Sequence, residues 1–458
     1  MMDPFNHLGS FSGCINRLVI FWHLLFVPVC FGQSQLKTAL PLKRSFPFLA
    51  IWNAPTELCT RKFGVTFNLT SFPMISTTRR SPFQQDIRIF FNRMIGHYPH
   101  YDELTGQEFD GGIPQQVNMD EHLQKAEHDI KELIPSNISH GLAVIDWENW
   151  RPIWGRNWHR KFIYLRQSIE LVQQSDLSLT WQRAAEIAKI EFEEAAKNLL
   201  IKSLQLGKKL RPNQLWGYYL FPNCYNYMHK NRHRTYTGKC PQRAISRNNE
   251  LLWLWQESTA LYPSIYLPKV FKSSNNSKLF VRNRVQEAMR VATLSKKEHS
   301  LPVYTYTRAV YRESFNETLS EADLVSTIGE SASLGAAGIV LWESSNTTLS
   351  KHTCTMLQSF VDDILNRYVL NVTHAARLCS RELCQNKGRC LRKNWDSSDY
   401  LHLNPNNFKI RRKVNGHLAV IGQPSLEDLQ FMSEKFTCQC YVGKRCLTNP
   451  FTDTIPYI

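Results

Sequence analysis

The sequence predicts an α/β protein: a distorted TIM-like (β/α) barrel followed by a small disulfide-rich module. Three observations predict it. Seven apolar, β-branched or aromatic runs recur up to residue 342, amphipathic helical patterns lie between them, and six cysteines crowd into residues 379–446. Continuous apolar strands separated by helices are what a parallel sheet covered by helices requires. Seven such repeats favour a closed barrel over an open sheet.

The strand runs are FPFLAIWNAP (46–55), DIRIFF (86–91), GLAVIDWENW (141–150), QLWGYYLFP (214–222), LYPSIYL (261–267), PVYTYT (302–307) and AAGIVLW (336–342). Between them, residues 119–134 place Leu123, Ala126, Ile130 and Leu133 at helical spacing, with Pro135 as a stop. Residues 180–209 repeat the pattern through Ala184, Ile187, Ala188, Phe192, Ala195 and Leu199, and helices are also expected over 281–292, 321–335 and 351–377. In such a barrel the chemistry belongs to residues just past the C-terminal end of each strand.

The 458 residues carry 55 Lys+Arg against 39 Asp+Glu, a net charge of +16, which points to a polyanionic partner: nucleic acid, an anionic membrane or an acidic polysaccharide. The 12% aromatic content supplies a sizeable core and excludes a disordered chain. The absence of apolar runs of about 18 residues excludes a polytopic membrane protein.

The compartment narrows the partner. Arg17 precedes the apolar run Leu18–Phe31, and Gly32 and Ser34 follow it, so residues 1–34 read as a secretory signal peptide. Cys14 and Cys30 leave with it, and the ten remaining cysteines are an even set suited to an oxidising compartment. Asn68, Asn137, Asn275, Asn316, Asn346 and Asn371 are glycosylation candidates on the same route. Nucleic acid drops out as a partner, and an extracellular acidic polymer rises. No transmembrane segment is expected after signal removal. The C-terminal residues 447–458 read as a tail without a long apolar run, which does not support a GPI anchor.

The expected domains are therefore a barrel over 35–378 and a Cys-rich module over 379–446. The module's C-x4-C-x5-C and C-x-C-x5-C spacings resemble an EGF-like module, with 47 residues between the third and fourth cysteines where an ordinary module has far fewer. That resemblance implies pairs Cys379–Cys390, Cys384–Cys438 and Cys440–Cys446. The other four would pair among themselves: Cys224 and Cys240 bracket one loop, and Cys59 and Cys354 follow the first and last strands.

The most informative segment is AVIDWENW (143–150). Asp146 and Glu148, two apart on a strand, project toward the same face. Mutual repulsion and nearby Trp surface push one pKa upward, so that one acid stays protonated while its neighbour ionises. That arrangement can protonate a glycosidic leaving oxygen. Trp52, Trp147, Trp150, Tyr218, Tyr219, Tyr262, Tyr266 and Trp342 gather at strand ends, where aromatic faces would suit the apolar C–H faces of sugar rings. Each also has an ordinary core-packing reading.

AVIDWENWRP, LRPNQLWGYYLFPNCYN, ALYPSIY, VRNRV and the Cys-bounded C-terminal module together resemble the animal hyaluronidase family, from about Ser45 to Cys446. LCQNKGRCLRKNWDSSDYLHLNP (383–405) resembles its sperm-surface type. The resemblance implies an endo-β-N-acetylhexosaminidase cleaving the β-1,4 linkage of hyaluronan, by a retaining, substrate-assisted mechanism. Glu148 matches the proton donor and later base, Asp146 the residue that orients the substrate acetamido, and Tyr219 and Tyr266 the groups that position it. Trp342 matches the aromatic wall, and Arg284 a basic cleft residue facing a substrate carboxylate. No cofactor or metal is expected: no Gly-rich phosphate loop, metal-ligand spacing or serine-nucleophile elbow occurs.

The sequence also departs from that family. Phe91 stands where relatives commonly have Tyr, Asn149 where they often have Glu or Ala, and Glu343 directly follows the wall Trp342, where a carboxylate would repel an anionic chain or raise the pKa of Glu148. Phe91 and Glu343 keep two other readings open: a weakly or non-catalytic hyaluronan-binding adhesion protein of gametes, and a relative preferring chondroitin sulfates. The basic stretches His229–Arg234 and Lys409–Lys413 either help to hold the polymer or are solvated loops. The sequence does not give the oligomeric state.

Overall fold

The computed structural model describes residues 37–76, 86–227, 235–295, 298–414 and 416–446. The expected signal peptide with Cys14 and Cys30, the basic stretch His229–Arg234 and the tail 447–458 lie outside the described residues.

Seven parallel strands organise the larger part: β1 (Leu49–Asn53), β2 (Met74–Ile75), β3 (Ile87–Phe90), β4 (Gly141–Ile145), β5 (Gln214–Tyr218), β6 (Tyr304–Thr307) and β7 (Gly338–Trp342). They form two sheets, β2-β1-β7-β6 and β3-β4-β5. The register is continuous, with Leu49 opposite Gly338, Gly141 opposite Gln214 and Ile87 opposite Leu142. Residues 261–267, expected as a strand, join the two sheets only through single bridges: Tyr219 with Tyr262, Leu261 with Val303 and Ser264 with Tyr306. Pro263 has no N–H to donate, so a regular ladder cannot run through this segment. Across the other gap, the Ser76 hydroxyl of the β2 end donates to the Ile87 carbonyl of β3 at 3.0 Å. The two-residue β2 was not expected from the sequence, having no apolar run of its own.

Alternation along these strands creates two separate apolar layers. One lies on one face of the strands and contains Leu49, Ile51, Leu142, Val144, Tyr304 and Val340. The other lies between strands and helices and contains Trp52, Phe90, Ala143, Ile145, Trp216 and Leu341. Gly217 marks how tight the first layer is: a Cβ there would sit 2.4 Å from the Ala260 carbonyl oxygen and 3.1 Å from the Tyr262 ring.

The helices follow local signals. Met119–Leu133 starts at Asn118, whose side chain accepts from the Asp120 and Glu121 amides, and carries Asp120 and Glu121 in its first turn. Trp181–Leu210 starts at Thr180, which accepts from the Arg183 amide, and ends with Lys208 and Lys209 in its last turn. The helix expected at 281 begins earlier, at Asn275, and the last long helical stretch runs on to Glu382, with a π-turn over Val361–Leu365. Helix Phe162–Ser175 was not singled out in the sequence; it buries Tyr164, Ser168, Ile169 and Val172, a helical stripe that a hydroxyl partly obscures.

All five expected disulfides are present: Cys59–Cys354, Cys224–Cys240, Cys379–Cys390, Cys384–Cys438 and Cys440–Cys446. The first joins the helix after β1 to the helix after β7 across 295 residues. The C-terminal part pairs Gly388–Arg392 antiparallel with Phe436–Cys440, and its long insertion folds into a hairpin, Phe408–Arg412 with Leu418–Gly422, followed by helix Leu426–Lys435. Lys409–Arg412 of the basic stretch lie on the first strand of that hairpin, with Lys409, Arg411 and Arg412 exposed, and Lys413 follows it. This part is held against the larger one by Glu330, fully buried between Arg282 at 2.6 Å and Arg392 at 2.7 Å. Asn137, Asn275, Asn316 and Asn346 are exposed, whereas Asn68 and Asn371 are half-buried.

Candidate active site

β4 stops at Ile145, so Asp146 and Glu148 lie just beyond the strand rather than on it. The Asp146 amide still donates to the Phe90 carbonyl at 2.9 Å, and one strand over the Tyr219 amide donates to Ile145 at 2.9 Å. These bonds fix both side chains at the C-terminal ends of β4 and β5. Together with Ile89, Val144, Tyr266, Tyr306 and Trp342 they line a recess of about 110 Å³. A larger hollow of about 830 Å³ lies between helices Phe162–Ser175 and Trp181–Leu210, and none of these residues reaches it.

The recess has an aromatic wall and a polar floor. Tyr266 and Trp342 stack with ring centroids 6.0 Å apart and planes 12° from parallel. Tyr219 packs edge-on against Tyr306 at 4.9 Å and lies 6.2 Å from Tyr266. Burial holds all three phenols well above the usual range, so they act as neutral hydroxyls. Two polar atoms here are buried and have no hydrogen-bond partner among the described residues: Oδ1 of Asp146 and the hydroxyl of Tyr306. Orphaned buried polar atoms are costly, and their convergence on one recess marks a place that a polar ligand completes.

The two carboxyls differ as environment requires. Burial first, then the neighbouring Glu148 charge, pushes Asp146 up to about 8, against the opposing pull of Arg151. The raised member of the pair is therefore Asp146. Glu148 has a side chain 48% exposed and receives the Arg151 guanidinium at 3.3 Å on Oε2. Its backbone carbonyl accepts from Arg151 at 2.7 Å and from Lys161 at 2.5 Å, which fixes the turn that presents it.

Other expected site residues fall elsewhere. Arg284 does not face the recess: it is buried, donating from Nε to Asn226 at 2.9 Å and from Nη1 to the Ser264 carbonyl at 2.8 Å, with its guanidinium against Tyr227 and Phe280. It braces the two segments that carry Tyr225 and Tyr266, because its helix packs behind them. Glu343 does not face the recess as a free charge either. Oε2 pairs with Arg308, and Oε1 accepts from the Ala309 and Val310 amides at 2.7 and 3.3 Å. Of the expected aromatic cluster, Trp52, Trp147, Trp150, Tyr218 and Tyr262 are core residues; Trp147 stacks on Tyr98 at 4.5 Å and the Tyr218 hydroxyl donates to Leu200. Phe91 is 44% exposed, lies just past the end of β3 and is not among the residues that line the recess. Tyr306 was missed, although period two from Tyr304 in PVYTYT would have aimed both rings inward.

The sequence model of the hyaluronidase family matches residues 37–449. The chain is 46% identical over 428 residues to Hyaluronidase PH-20 of Homo sapiens, covering 93% of this chain and 83% of that protein. It is 44% identical over 439 residues to Hyaluronidase-4 of Homo sapiens, covering 95% and 90%. Among solved structures it resembles bee venom hyaluronidase, with TM-score 0.59, 28% identity, and 70% of this chain and 99% of that one covered. The same enzyme in complex with a hyaluronic acid tetramer matches with TM-score 0.60, 28% identity, and 70% and 98% covered.

Proposed function

The chain belongs to the hyaluronidase family of glycoside hydrolases, and we propose that it cleaves the β-1,4 linkage of hyaluronan as a retaining, substrate-assisted endo-β-N-acetylhexosaminidase. The observation that carries this reading is the recess itself, where a carboxyl pair, three tyrosines and a tryptophan converge around two unpartnered polar atoms. The strand order and the separate apolar layer on one face of the strands support a (β/α) barrel carrying the site at its C-terminal mouth, with an EGF-like module beside it.

The N-acetylglucosamine unit lies against Trp342 and Tyr266, its acetamido group among Tyr219, Tyr306 and Asp146. An acetamido N–H donating to Asp146 favours the ionised form of that carboxyl. Glu148 is then the member of the pair that presents a proton to the leaving oxygen. Glu148 gives it to the leaving oxygen as the acetamido oxygen attacks the anomeric carbon, forming an oxazolinium-type intermediate. Glu148 next removes a proton from the water that opens it, which restores both groups. Holding the acetamido in attack geometry is an orientation effect, and the general acid contributes about 10²–10⁴-fold. This chemistry uses no enzyme nucleophile and stands outside the two-carboxylate nucleophilic scheme.

Because Arg308 neutralises Glu343, the carboxylate that spoke for a non-catalytic adhesion protein loses its force. The resemblance to the sperm-surface type supports a secreted or surface enzyme acting in sperm passage through a hyaluronan-rich egg matrix, with chondroitin sulfates as further substrates. No helix among the described residues is long and apolar enough to cross a membrane. The test is a polymer-size assay on hyaluronan and chondroitin with Glu148→Gln: the variant stays folded and loses depolymerisation. Cleavage at the parent rate would overturn the assignment of Glu148.

A further inference from the structure

Beside the recess, on the Glu148 side, stands a group of four arginines, of which Arg151 pairs with Glu148 and Arg247 has Glu250 as an opposing charge. Arg151 reaches Glu148, and beyond it come Arg156, Arg247 and Arg243. Among the described residues no carboxylate lies within ion-pair distance of Arg156, Arg243 or Arg247. Burial first, then Arg247 and Arg151, lowers Arg156 to about 10. Gathering like charges in a half-buried place costs folding free energy, and it persists where a bound anion offsets it.

The same place holds two aromatic rings. The Arg156 guanidinium lies 5.6 Å from the centroid of Tyr225, and that of Arg247 lies 5.7 Å from Trp158. Trp158 and Tyr225 meet edge to face at 5.2 Å. Tyr225 is 41% exposed and is held at φ 55°, beside the Cys224–Cys240 disulfide, with its amide donating to Asn223 Oδ1 at 2.9 Å. A tyrosine in left-handed backbone is an uncommon conformation that the surrounding structure must enforce. Arg247 is anchored by donation to the Gly155 carbonyl at 2.7 Å, which leaves the rest of its fork for an external acceptor.

We propose that Arg156, Trp158, Tyr225, Arg243 and Arg247 form a cation–aromatic shelf that binds the uronate-bearing sugars on the leaving-group side of the scissile bond. The inference rests on the hyaluronidase reading and adds a subsite to it. Direction follows from strand order: Trp342 ends β7, separated from β4 by β5, the 261–264 segment and β6, whereas Trp158 and Tyr225 follow β4 and β5. The acetamido sugar occupies the Trp342 side, and the proton donor faces the leaving oxygen, so sugars beyond that oxygen run onto the shelf. Planar guanidiniums match carboxylates, and the rings match the apolar sugar faces between them.

The test titrates a hyaluronan octasaccharide and its carboxyl-methyl-esterified form against Glu148→Gln chains, with and without Arg243→Gln and Arg247→Gln. The double arginine change weakens octasaccharide binding about tenfold or more and flattens its salt dependence, while the ester binds all chains alike. Arg243 is exposed, so Arg243→Gln alone provides a folded variant, and thermal unfolding checks each chain. Equal octasaccharide affinities, or an equal loss on the ester, would overturn the shelf. No octasaccharide binding by the Glu148→Gln chain with its arginines intact would overturn the hyaluronidase reading with it. In chains that retain Glu148, loss of the arginines moves the cut toward shorter leaving fragments; an unmoved cut would place the shelf off the leaving-group side.

Discussion

Arg308 donates to one carboxylate oxygen of Glu343 from both Nε, at 3.0 Å, and Nη2, at 2.8 Å, and neither side chain is more than 5% exposed. Glu343 directly follows the recess wall Trp342, and the Arg308 guanidinium lies 5.9 Å from the ring of Tyr266, the partner of Trp342 in the stack. One buried ion pair therefore braces the wall from behind. Burial pushes the Glu343 carboxyl upward, and Arg308 and two backbone amides oppose that push.

Removing one partner of such a pair is far more damaging than replacing both. Arg308→Met should destabilise the fold by about 3–5 kcal/mol, because a buried carboxylate is left without a counter-charge. Glu343 can then take up a proton, so the loss should be smaller at pH 5 than at pH 7.5. Urea unfolding at the two pH values measures this, and Arg308→Met with Glu343→Leu should recover most of the loss.

Asp146 sets up a conflict between stability and function. Its folded pKa of about 8 lies above its value in an unfolded chain, so between about pH 4 and 8 the folded state binds more protons than the unfolded state. Stability contributed by this group is therefore present at low pH and declines as pH rises through that window. Asp146→Asn removes the titration: its melting temperature should exceed that of the parent above about pH 5, by a margin that grows toward pH 8, while depolymerisation falls sharply. Melting curves across that pH range, beside a turnover assay, separate the two effects.

Tyr306 and Tyr262 give a paired comparison. The Tyr262 hydroxyl donates to the Leu215 carbonyl at 2.6 Å, whereas the Tyr306 hydroxyl has no partner among the described residues. Tyr262→Phe should cost about 1 kcal/mol of stability and leave the recess intact. Tyr306→Phe should leave stability unchanged or slightly raised and reduce kcat/KM for hyaluronan about tenfold, the effect of one hydrogen bond made in the bound state.

These cases show what was legible in the sequence. Six of the seven expected strand runs and most of the helices were, because apolar periodicity reports which face is buried, whereas 261–267 was not; Asp146, Glu148, Tyr219, Tyr266 and Trp342 do line one recess. What escaped depends on contacts between distant residues. Glu343 read as an exposed threat because its partner Arg308 lies 35 positions away. Arg284 read as a cleft residue because a guanidinium's direction is set by Asn226 and Ser264, not by its neighbours in the chain. Trp147 and Trp150 read as sugar platforms, yet Tyr98 and Phe192 claim their faces. Only packing distinguishes a core aromatic from a lining one.

Phe91 offers a gain rather than a loss. It stands exposed just past the end of β3, and the family resemblance implies a tyrosine hydroxyl here as one donor to the bound chain. Phe91→Tyr adds that hydroxyl at a place with room for it, and should raise kcat/KM for hyaluronan by about 3–10-fold, the equivalent of one net hydrogen bond. Steady-state rates on defined oligosaccharides measure it, and an unchanged value would show that the bound chain does not pass over this residue.

Glu330 decides whether the C-terminal module is an independent unit. Its carboxylate is fully buried and takes Arg282 and Tyr400 on one oxygen and Arg392 on the other, at 2.6, 3.0 and 2.7 Å. Both guanidiniums also donate to carbonyls in the 395–399 loop, which explains how two cations are accommodated around one anion. On the far side, Thr38 donates to Cys440 and accepts from Val442, tying the start of the larger part to the end of the module. With this much of the contact buried and charged, the two parts should melt in a single transition. Glu330→Gln leaves two buried guanidiniums facing a neutral amide, at a cost of about 3–5 kcal/mol. It should split the transition in calorimetry and expose the 393–399 loop to limited proteolysis before the larger part unfolds. A variant that still melts in one transition, with the loop protected, would show that the disulfides and the Thr38 strap hold the module without this ionic contact.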